Sequence, residues 1–119
     1  MINICDCGFE NLTPFEQGWI VGLLEGEGTF ILRVKPGVNK PWLNALIEVV
    51  NTEPNGEITK RLQSLLGGKI YRAYRKNECK WTLNTKKEIL CLLEHIKPFM
   101  SKLRQTKINE ILTTYKGRR

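Results

Sequence analysis

The spacing of apolar residues along this chain switches between a helical period and a period of two, and each switch marks a predicted element. Thr13-Pro14-Phe15-Glu16 is a capping box with proline at the first helical position, so a helix is expected to start there. It runs from Gln17 through Gly26 and breaks at Glu27-Gly28, with Phe15, Trp19 and Leu23 as the stripe expected to anchor it. From Thr29 to Lys35 the period is two: Phe30, Leu32 and Val34 share one face, and Thr29, Ile31, Arg33 and Lys35 the other. A loop built on Pro36-Gly37 and Asn39-Lys40-Pro41 leads to a second extended run, Trp42 to Asn51. Helical spacing returns from about Glu53, carries Ile58, Leu62, Leu65 and Leu66, and stops at Gly67-Gly68. Lys69 to Arg75 and Cys79 to Asn84 then read as short strands around Lys76-Asn77-Glu78. Thr85-Lys86-Lys87-Glu88 reads as a second capping box, opening a helix with Ile89, Leu92, Leu93 and Ile96 that ends at Lys97-Pro98. A last helix follows Ser101 and carries Ile108, Ile111 and Leu112.

The resulting order, α-β-β-α-β-β-α-α, predicts an α+β domain whose two hairpins join as one antiparallel sheet, with helices on one face and the other face open. Alternation assigns to the open face Thr29, Ile31, Arg33 and Lys35, then Asn44, Leu46 and Glu48, then Lys80 and Thr82. On the third strand two sets compete, Arg72, Tyr74 and Lys76 against Lys69, Tyr71 and Arg75, and the first set is taken. A length of 119 residues holds one compact domain, assigned to residues 13–119 behind an extension of residues 1–12. No apolar run approaches the ~20 residues that span a bilayer. The start, Met1-Ile2-Asn3-Ile4-Cys5-Asp6, lacks the regions of a secretion signal. The expectation is a chain that works inside a cell and away from membranes.

Charge changes the picture more than overall composition does. Residues 1–28 hold five acids and no Lys or Arg, residues 29–88 hold 12 basic and 5 acidic side chains, and residues 89–119 hold 7 and 2. A basic body behind an acidic start points to a polyanion partner, of which nucleic acid is the commonest. A polar, basic sheet face is on its own an ordinary solvated surface. Four cysteines, Cys5, Cys7, Cys79 and Cys91, with His95 make no familiar zinc-finger spacing. Cys5-x-Cys7 reads as reduced thiols before it reads as a metal site, and Cys79 and Cys91 read as small core residues or bystanders.

Gly18, Gly22 and Gly26 stand at i, i+4 and i+8, so one stripe of the first helix carries no side chains. Each interior glycine costs about 0.5–1 kcal/mol against alanine, and close backbone approach to another helix is what offsets that cost. No other helix here offers a matching stripe, so the expected partner is the same helix, with Val21 and Glu25 beside the seam, in a second copy related by a two-fold axis. Glu25-Gly26-Glu27-Gly28 places two carboxylates at the negative end of the helix macrodipole, where each is disfavoured by a few tenths to about 1 kcal/mol. The tetrapeptide reads equally as a solvated terminus or as an oxygen-donor site for Mg²⁺.

Trp19-Ile20-Val21-Gly22-Leu23-Leu24-Glu25-Gly26-Glu27-Gly28-Thr29-Phe30 resembles the signature of the LAGLIDADG homing endonucleases, with glutamate in both acidic places of the motif. The element order, Val49-Val50-Asn51-Thr52, Leu66-Gly67-Gly68-Lys69-Ile70-Tyr71 and Ile96-Lys97-Pro98-Phe99-Met100 are also similar to the family, over roughly residues 13–115. The resemblance implies an αββαββα-type fold with a saddle-shaped sheet along the DNA major groove, and a homodimer joined through the motif helices. It implies Mg²⁺, or Mn²⁺ or Ca²⁺ in its place, bound by Glu27 and the Gly26 carbonyl. It also implies Asn51 as the polar residue that orders water, and Lys102, with Arg104 as fallback, beside the scissile phosphate. Glu25 is implied to be a structural acid at the interface.

On this reading the chain is an intron-encoded, site-specific endonuclease that cuts both strands of a near-palindromic duplex by metal-assisted phosphodiester hydrolysis. Arg33, Lys35, Arg72 and Lys80 would reach guanine or phosphate, and Asn44 adenine. The competing expectations are an intron maturase that binds RNA and a non-cleaving DNA-binding protein on the same fold.

Overall fold

A computed structural model of the chain describes residues 8–35, 42–52, 56–73 and 77–116, with the side chains of residues 34, 35, 42, 43 and 116 excepted. The expected order of helices and strands is the observed one. A 3₁₀ turn at Phe9–Asn11 precedes helix α1 (Pro14–Glu27), strands β1 (Gly28–Lys35) and β2 (Trp42–Asn51), and helix α2 (Glu57–Leu66). Strands β3 (Lys69–Ala73) and β4 (Glu78–Leu83) follow, then helix α3 (Lys86–Ile96), a 3₁₀ turn at Lys97–Phe99, and helix α4 (Lys102–Lys116). The strands form one antiparallel sheet in the order β1-β2-β4-β3.

Local chemistry accounts for the boundaries. At the start of α1 the Glu16 amide donates to the Thr13 hydroxyl at 3.1 Å, and the Thr13 amide to the Glu16 carboxylate at 2.9 Å, so both halves of the capping box form. The helix ends where the Gly28 amide bonds the Leu24 carbonyl. A Cβ at Gly28 would lie 2.7 Å from that carbonyl oxygen, so a glycine is required there by close approach. The expected second capping box does not form: Thr85 is the N-cap of α3 but its side chain makes no capping bond. Glu88 reaches away instead, its carboxylate 3.8 Å from where a Cβ on Gly67 would stand.

The helices cover one face of the sheet and share one core with it. Phe30, Ala45, Ile47, Val49, Trp81 and Leu83 meet Ile20 and Leu24 of α1, Leu62 and Leu66 of α2, the Ile89-Leu92-Leu93-Ile96 face of α3, and Ile108 and Ile111 of α4. Each such side chain contributes about 1.5–3 kcal/mol by burial, an upper estimate because the unfolded chain is itself compact. The anchoring stripe of α1 differs from the expected one. Ile20 and Leu24 are fully buried, whereas Phe15 is 72% exposed and Trp19 and Leu23 are half-buried. Two adjacent stripes of this helix are apolar, and periodicity cannot choose between them. Trp19 and Phe15 lie instead beside Arg61 of α2, whose guanidinium is 4.6 Å and 6.0 Å from their ring centres. Packing also starts upstream of Thr13: Phe9 is 4% exposed within the same core, and the Gln17 side-chain amide donates to its carbonyl at 3.0 Å.

Candidate nucleic-acid interface and acidic helix tip

Strand register decides which side chains share the sheet face opposite the helices. Thr29 pairs with Glu48, Glu48 with Thr82, and Thr82 with Lys69; Ile31 pairs with Leu46, and Arg33 with Asn44. Partners in register point to the same side, so this is one continuous face. Arg33 and Thr29 on it are exposed, and Ile31, Asn44, Glu48 and Lys80 are half-buried. The Lys80 ammonium lies 3.9 Å from Glu48 and 5.9 Å from the centre of the Tyr71 ring. Lys35 pairs in register with Trp42 at the end of β1.

One of the expected face residues, Arg72, is placed differently. Arg72 pairs with Cys79, which is buried at 3%, and so belongs to the helix side of the sheet; Lys69 and Tyr71 take the open side. The turn before β3 sets this phase. Gly67 and Gly68 both have positive φ, and a Cβ on Gly68 would stand 2.5 Å from the Thr82 carbonyl, which locks the chain close to β4 and turns Ile70 toward Trp81. Leu46 and Thr82 are on the open face but only 7% exposed, being on the two central strands where flanking side chains take up the surface. Tyr74 and Lys76 lie outside the described residues.

The two carboxylates at the end of α1 have opposite surroundings. Glu25 accepts from the Ser101 amide at 2.8 Å and faces the Arg104 guanidinium at 3.6 Å. The Ser101 backbone amide, then the Ser101 hydroxyl and Arg104, hold its carboxyl below the ordinary value, against a partial desolvation. Arg104 also donates to the Gly28 carbonyl and lies over the Phe30 ring, 5.6 Å from its centre. Glu25 is therefore a clasp that fixes the start of α4 to the end of α1. Glu27 is exposed, and among the described residues its carboxylate has no hydrogen-bond or ion-pair partner.

The other expected site residues surround that tip. Val49 pairs with Gly28, so Asn51, two residues further along β2, lies at the end of the sheet where α1 terminates. Lys102 is the first residue of α4, exposed, and adjacent in sequence to the clasped Ser101. Glu25, Gly28, Thr29, Phe30, Ser101, Leu103, Arg104 and Lys107 line an open pocket of about 560 Å³ at this junction. Lys107, on the turn of α4 after Arg104, was not singled out from the sequence; its place one helical turn past an implied site residue was the available signal.

The glycine stripe faces outward. Gly18, Gly22 and Gly26 are exposed, and a Cβ built at any of them would meet nothing within 4 Å. Gly18 and Val21 border a groove of about 240 Å³ with Phe9, Pro14, Gln17 and Phe99. Phe99 is 67% exposed and Leu103 84% exposed. This side of the molecule is thus apolar and uncovered by the described residues.

The geometry has relatives among solved structures. The homing endonuclease I-CvuI, bound to a DNA target in the presence of Mg with the DNA not cleaved, superposes with a TM-score of 0.75 at 15% identity, over 87% of this chain and 69% of that one. The archaeal intron-encoded homing endonuclease I-Vdi141I, complexed with DNA, gives 0.68 at 22% identity over 83% and 67% of the two chains. The group I intron-encoded homing endonuclease I-CeuI, complexed with DNA, gives 0.72 at 15% over 87% and 55%. This chain therefore spans between about half and seven tenths of their lengths, and at such identities the likeness is one of fold. No curated protein sequence matches the chain significantly. The pattern described as LAGLIDADG endonuclease does match, across residues 20–116, from the buried Ile20 of α1 to the last residue of α4, and on that match the chain belongs to the LAGLIDADG endonuclease family.

Proposed function

We propose that the chain is a site-specific DNA endonuclease that cuts both strands of a near-palindromic duplex as a homodimer, using Mg²⁺. The observation that carries this reading is the contrast at the tip of α1, where Glu25 is neutralised by its own chain and Glu27 is left open. An acid at a helix C-terminus without a cationic neighbour costs stability, and a bound cation is what offsets it. The donors present at that helix end, a carboxylate and backbone carbonyls, are all oxygen, which fits Mg²⁺ and equally Mn²⁺ or Ca²⁺. Held by Glu27 and the Gly26 carbonyl, such an ion would activate water and stabilise the leaving oxygen of a phosphodiester.

The chain's own residues do the rest of the work in this reading. Lys102 supplies positive charge beside the phosphate, since Arg104 is committed to Glu25 and Gly28, and Asn51 orients water at the end of β2. The open sheet face binds the major groove: Arg33 and Lys80 donate to guanine or phosphate, Asn44 pairs with adenine, and Tyr71 and Lys69 extend the contact across β3. The bare stripe of α1, with Val21 beside it, meets its copy across a two-fold axis, bringing two Glu27 side chains together so that each strand has its own site.

Selection of cleaved molecules from a library of near-palindromic duplexes in Mg²⁺ tests this. Double-strand cleavage that needs the metal and falls by about 10³-fold or more in Glu27→Gln is expected, while duplex binding persists. Cleavage that survives in Glu27→Gln removes Glu27 from the mechanism. Tight binding of duplex or intron RNA with no cleavage by the wild type leaves only the binding readings.

A further inference from the structure

The open sheet face carries a carboxylate at its middle, where a surface that meets DNA has least use for one. Glu48 of β2 stands in register between Thr29 of β1 and Thr82 of β4, on the face opposite the helices. Phosphates repel an acid brought up to a duplex. An acid in that place therefore needs a donor to accept from, and its own chain supplies one. The Lys80 ammonium of β4 lies 3.9 Å from the Glu48 carboxylate, with 42% of the lysine side chain and 18% of the glutamate side chain exposed.

The pair is held in place but not used up. Lys80 lies in register between Val50 of β2 and Tyr71 of β3, and its ammonium is 5.9 Å from the centre of the Tyr71 ring. Val50 and Tyr71 are exposed in turn, so the lysine rises from a small apolar ledge open to solvent. Among the described residues neither charge has another ion-pair partner. A surface pair at that distance is weak, so both groups can turn to better partners at little cost. The strands fix where the two groups start, which orients them before any partner arrives.

A lone lysine serves guanine and phosphate alike, and the neighbouring carboxylate is what separates the two. Every free oxygen of a phosphate is an acceptor, so there Glu48, which can only accept, would face like charge. At the major-groove edge of a G·C pair, guanine offers the acceptors N7 and O6, and cytosine offers the N4 amino donor beside O6. O6 and N4 are hydrogen-bonded to each other at about 2.9 Å, so the edge sets acceptor and donor side by side as the protein sets ammonium and carboxylate. An A·T pair with the lysine on the purine puts the N6 donor against the ammonium and the O4 acceptor against the carboxylate. Turned round it matches, but thymine gives the ammonium one acceptor where guanine gives two.

We propose that Glu48 and Lys80 read one G·C base pair as a unit, Lys80 donating to guanine O6 and N7 and Glu48 accepting from the N4 amino group of the paired cytosine. The inference rests on the proposed binding of the open face to a major groove, and deepens it by naming the base pair that the middle of the face selects. In a two-fold dimer the unit occurs once per subunit, so the G·C pair recurs at one symmetric position of each half-site. In the free chain each charge satisfies the other. On the duplex the bases replace that contact, and the carboxylate keeps the lysine off the phosphates.

The test is selection of bound duplexes from a randomised library by the full-length chain in EDTA, so that sequence preference is read without cleavage. The wild type is expected to fix G·C at one position of each half-site. Glu48→Gln and Lys80→Met should each lower the preference for G·C over A·T there by about tenfold or more, and the double variant no further than the stronger single one. The other positions should be read unchanged, which shows in the same experiment that the variants fold. Replacing that guanine by 7-deazaguanine, which lacks the N7 acceptor, should weaken wild-type binding, a readout that needs no variant. A Lys80→Met chain that weakens on all sequences alike, with a salt slope smaller by about one, makes Lys80 a phosphate contact and overturns the assignment. So does a responding position that is A·T, or a selected site in which no position responds to either variant; these outcomes leave the proposed function standing. A wild type that selects no sequence overturns site-specific recognition and this inference together.

Discussion

The carboxyl end of α1 and the outward stripe of the same helix are built from the same residue types, glycine and glutamate, and are treated oppositely by the rest of the chain. At the end, the space around Gly28 is filled by Leu24, and Glu25 is met by Ser101 and Arg104. Along the stripe, Gly18, Gly22 and Gly26 face nothing within 4 Å, and Glu27 beyond them has no partner among the described residues. Protein interiors are close-packed and acids at helix ends are costly, so a region the chain fills for itself is structural. A region that the described residues leave open at a cost is where the proposed ion and second copy would bind.

The strongest way to break this comparison is to exchange the roles of the two acids. Glu27→Gln is expected to abolish cleavage, a loss of about 10³-fold or more, while the melting temperature does not fall, because no hydrogen bond or ion pair among the described residues is removed and a charge disfavoured by the helix dipole is lost. Paired activity assays and calorimetry check it. A large fall in stability instead would show Glu27 to be a clasp like Glu25.

Next in size is the filled glycine. A methyl at Gly28 would stand 2.7 Å from the Leu24 carbonyl oxygen and 3.0 Å from its Cα, both backbone atoms that cannot swing aside. Gly28→Ala should therefore destabilise by about 1–3 kcal/mol through overpacking, read as a lower urea midpoint at unchanged slope.

Gly22→Ala, six residues earlier, should do the reverse. The added methyl meets nothing, so the single chain gains roughly 0.5–1 kcal/mol of helix propensity. Self-association should weaken, because the methyl projects into the seam. Sedimentation at several concentrations separates the two effects, and a gain in monomer stability with undiminished dimer would move the interface off this stripe.

Much of this division was legible in the sequence, and the parts that were not have physical causes. The boundaries of α1 followed from a capping box and a terminal glycine, which act within four residues. The choice of anchoring stripe did not, since Phe15-Trp19-Leu23 and Ile20-Leu24 are both apolar and only the sheet's position selects one. The phase of β3 was ambiguous because basic and aromatic residues fall on both parities, and the Gly67-Gly68 turn that settles it acts through contact with Thr82 and Trp81. The motif named both acids of α1, yet the difference between Glu25 and Glu27 depends on Ser101 and Arg104, some seventy-six residues away. Local chemistry was readable along the chain, and pairings across the fold were not.

The smallest expected effect concerns the clasp itself and sharpens the comparison through pH. The folded-state value of Glu25 is lowered, chiefly by the Ser101 amide, so its ionised form is favoured by folding. Its contribution is complete above the ordinary glutamate value of about 4.3 and is lost as pH falls through the lowered one. Glu25→Gln removes that contribution. The melting-temperature difference between wild type and Glu25→Gln should be constant from pH 7 to about 5 and shrink below that. A carboxylate clasped by an amide and a guanidinium loses those contacts on protonation, so a difference that stays constant down to the acid limb would show that Glu25 is no clasp.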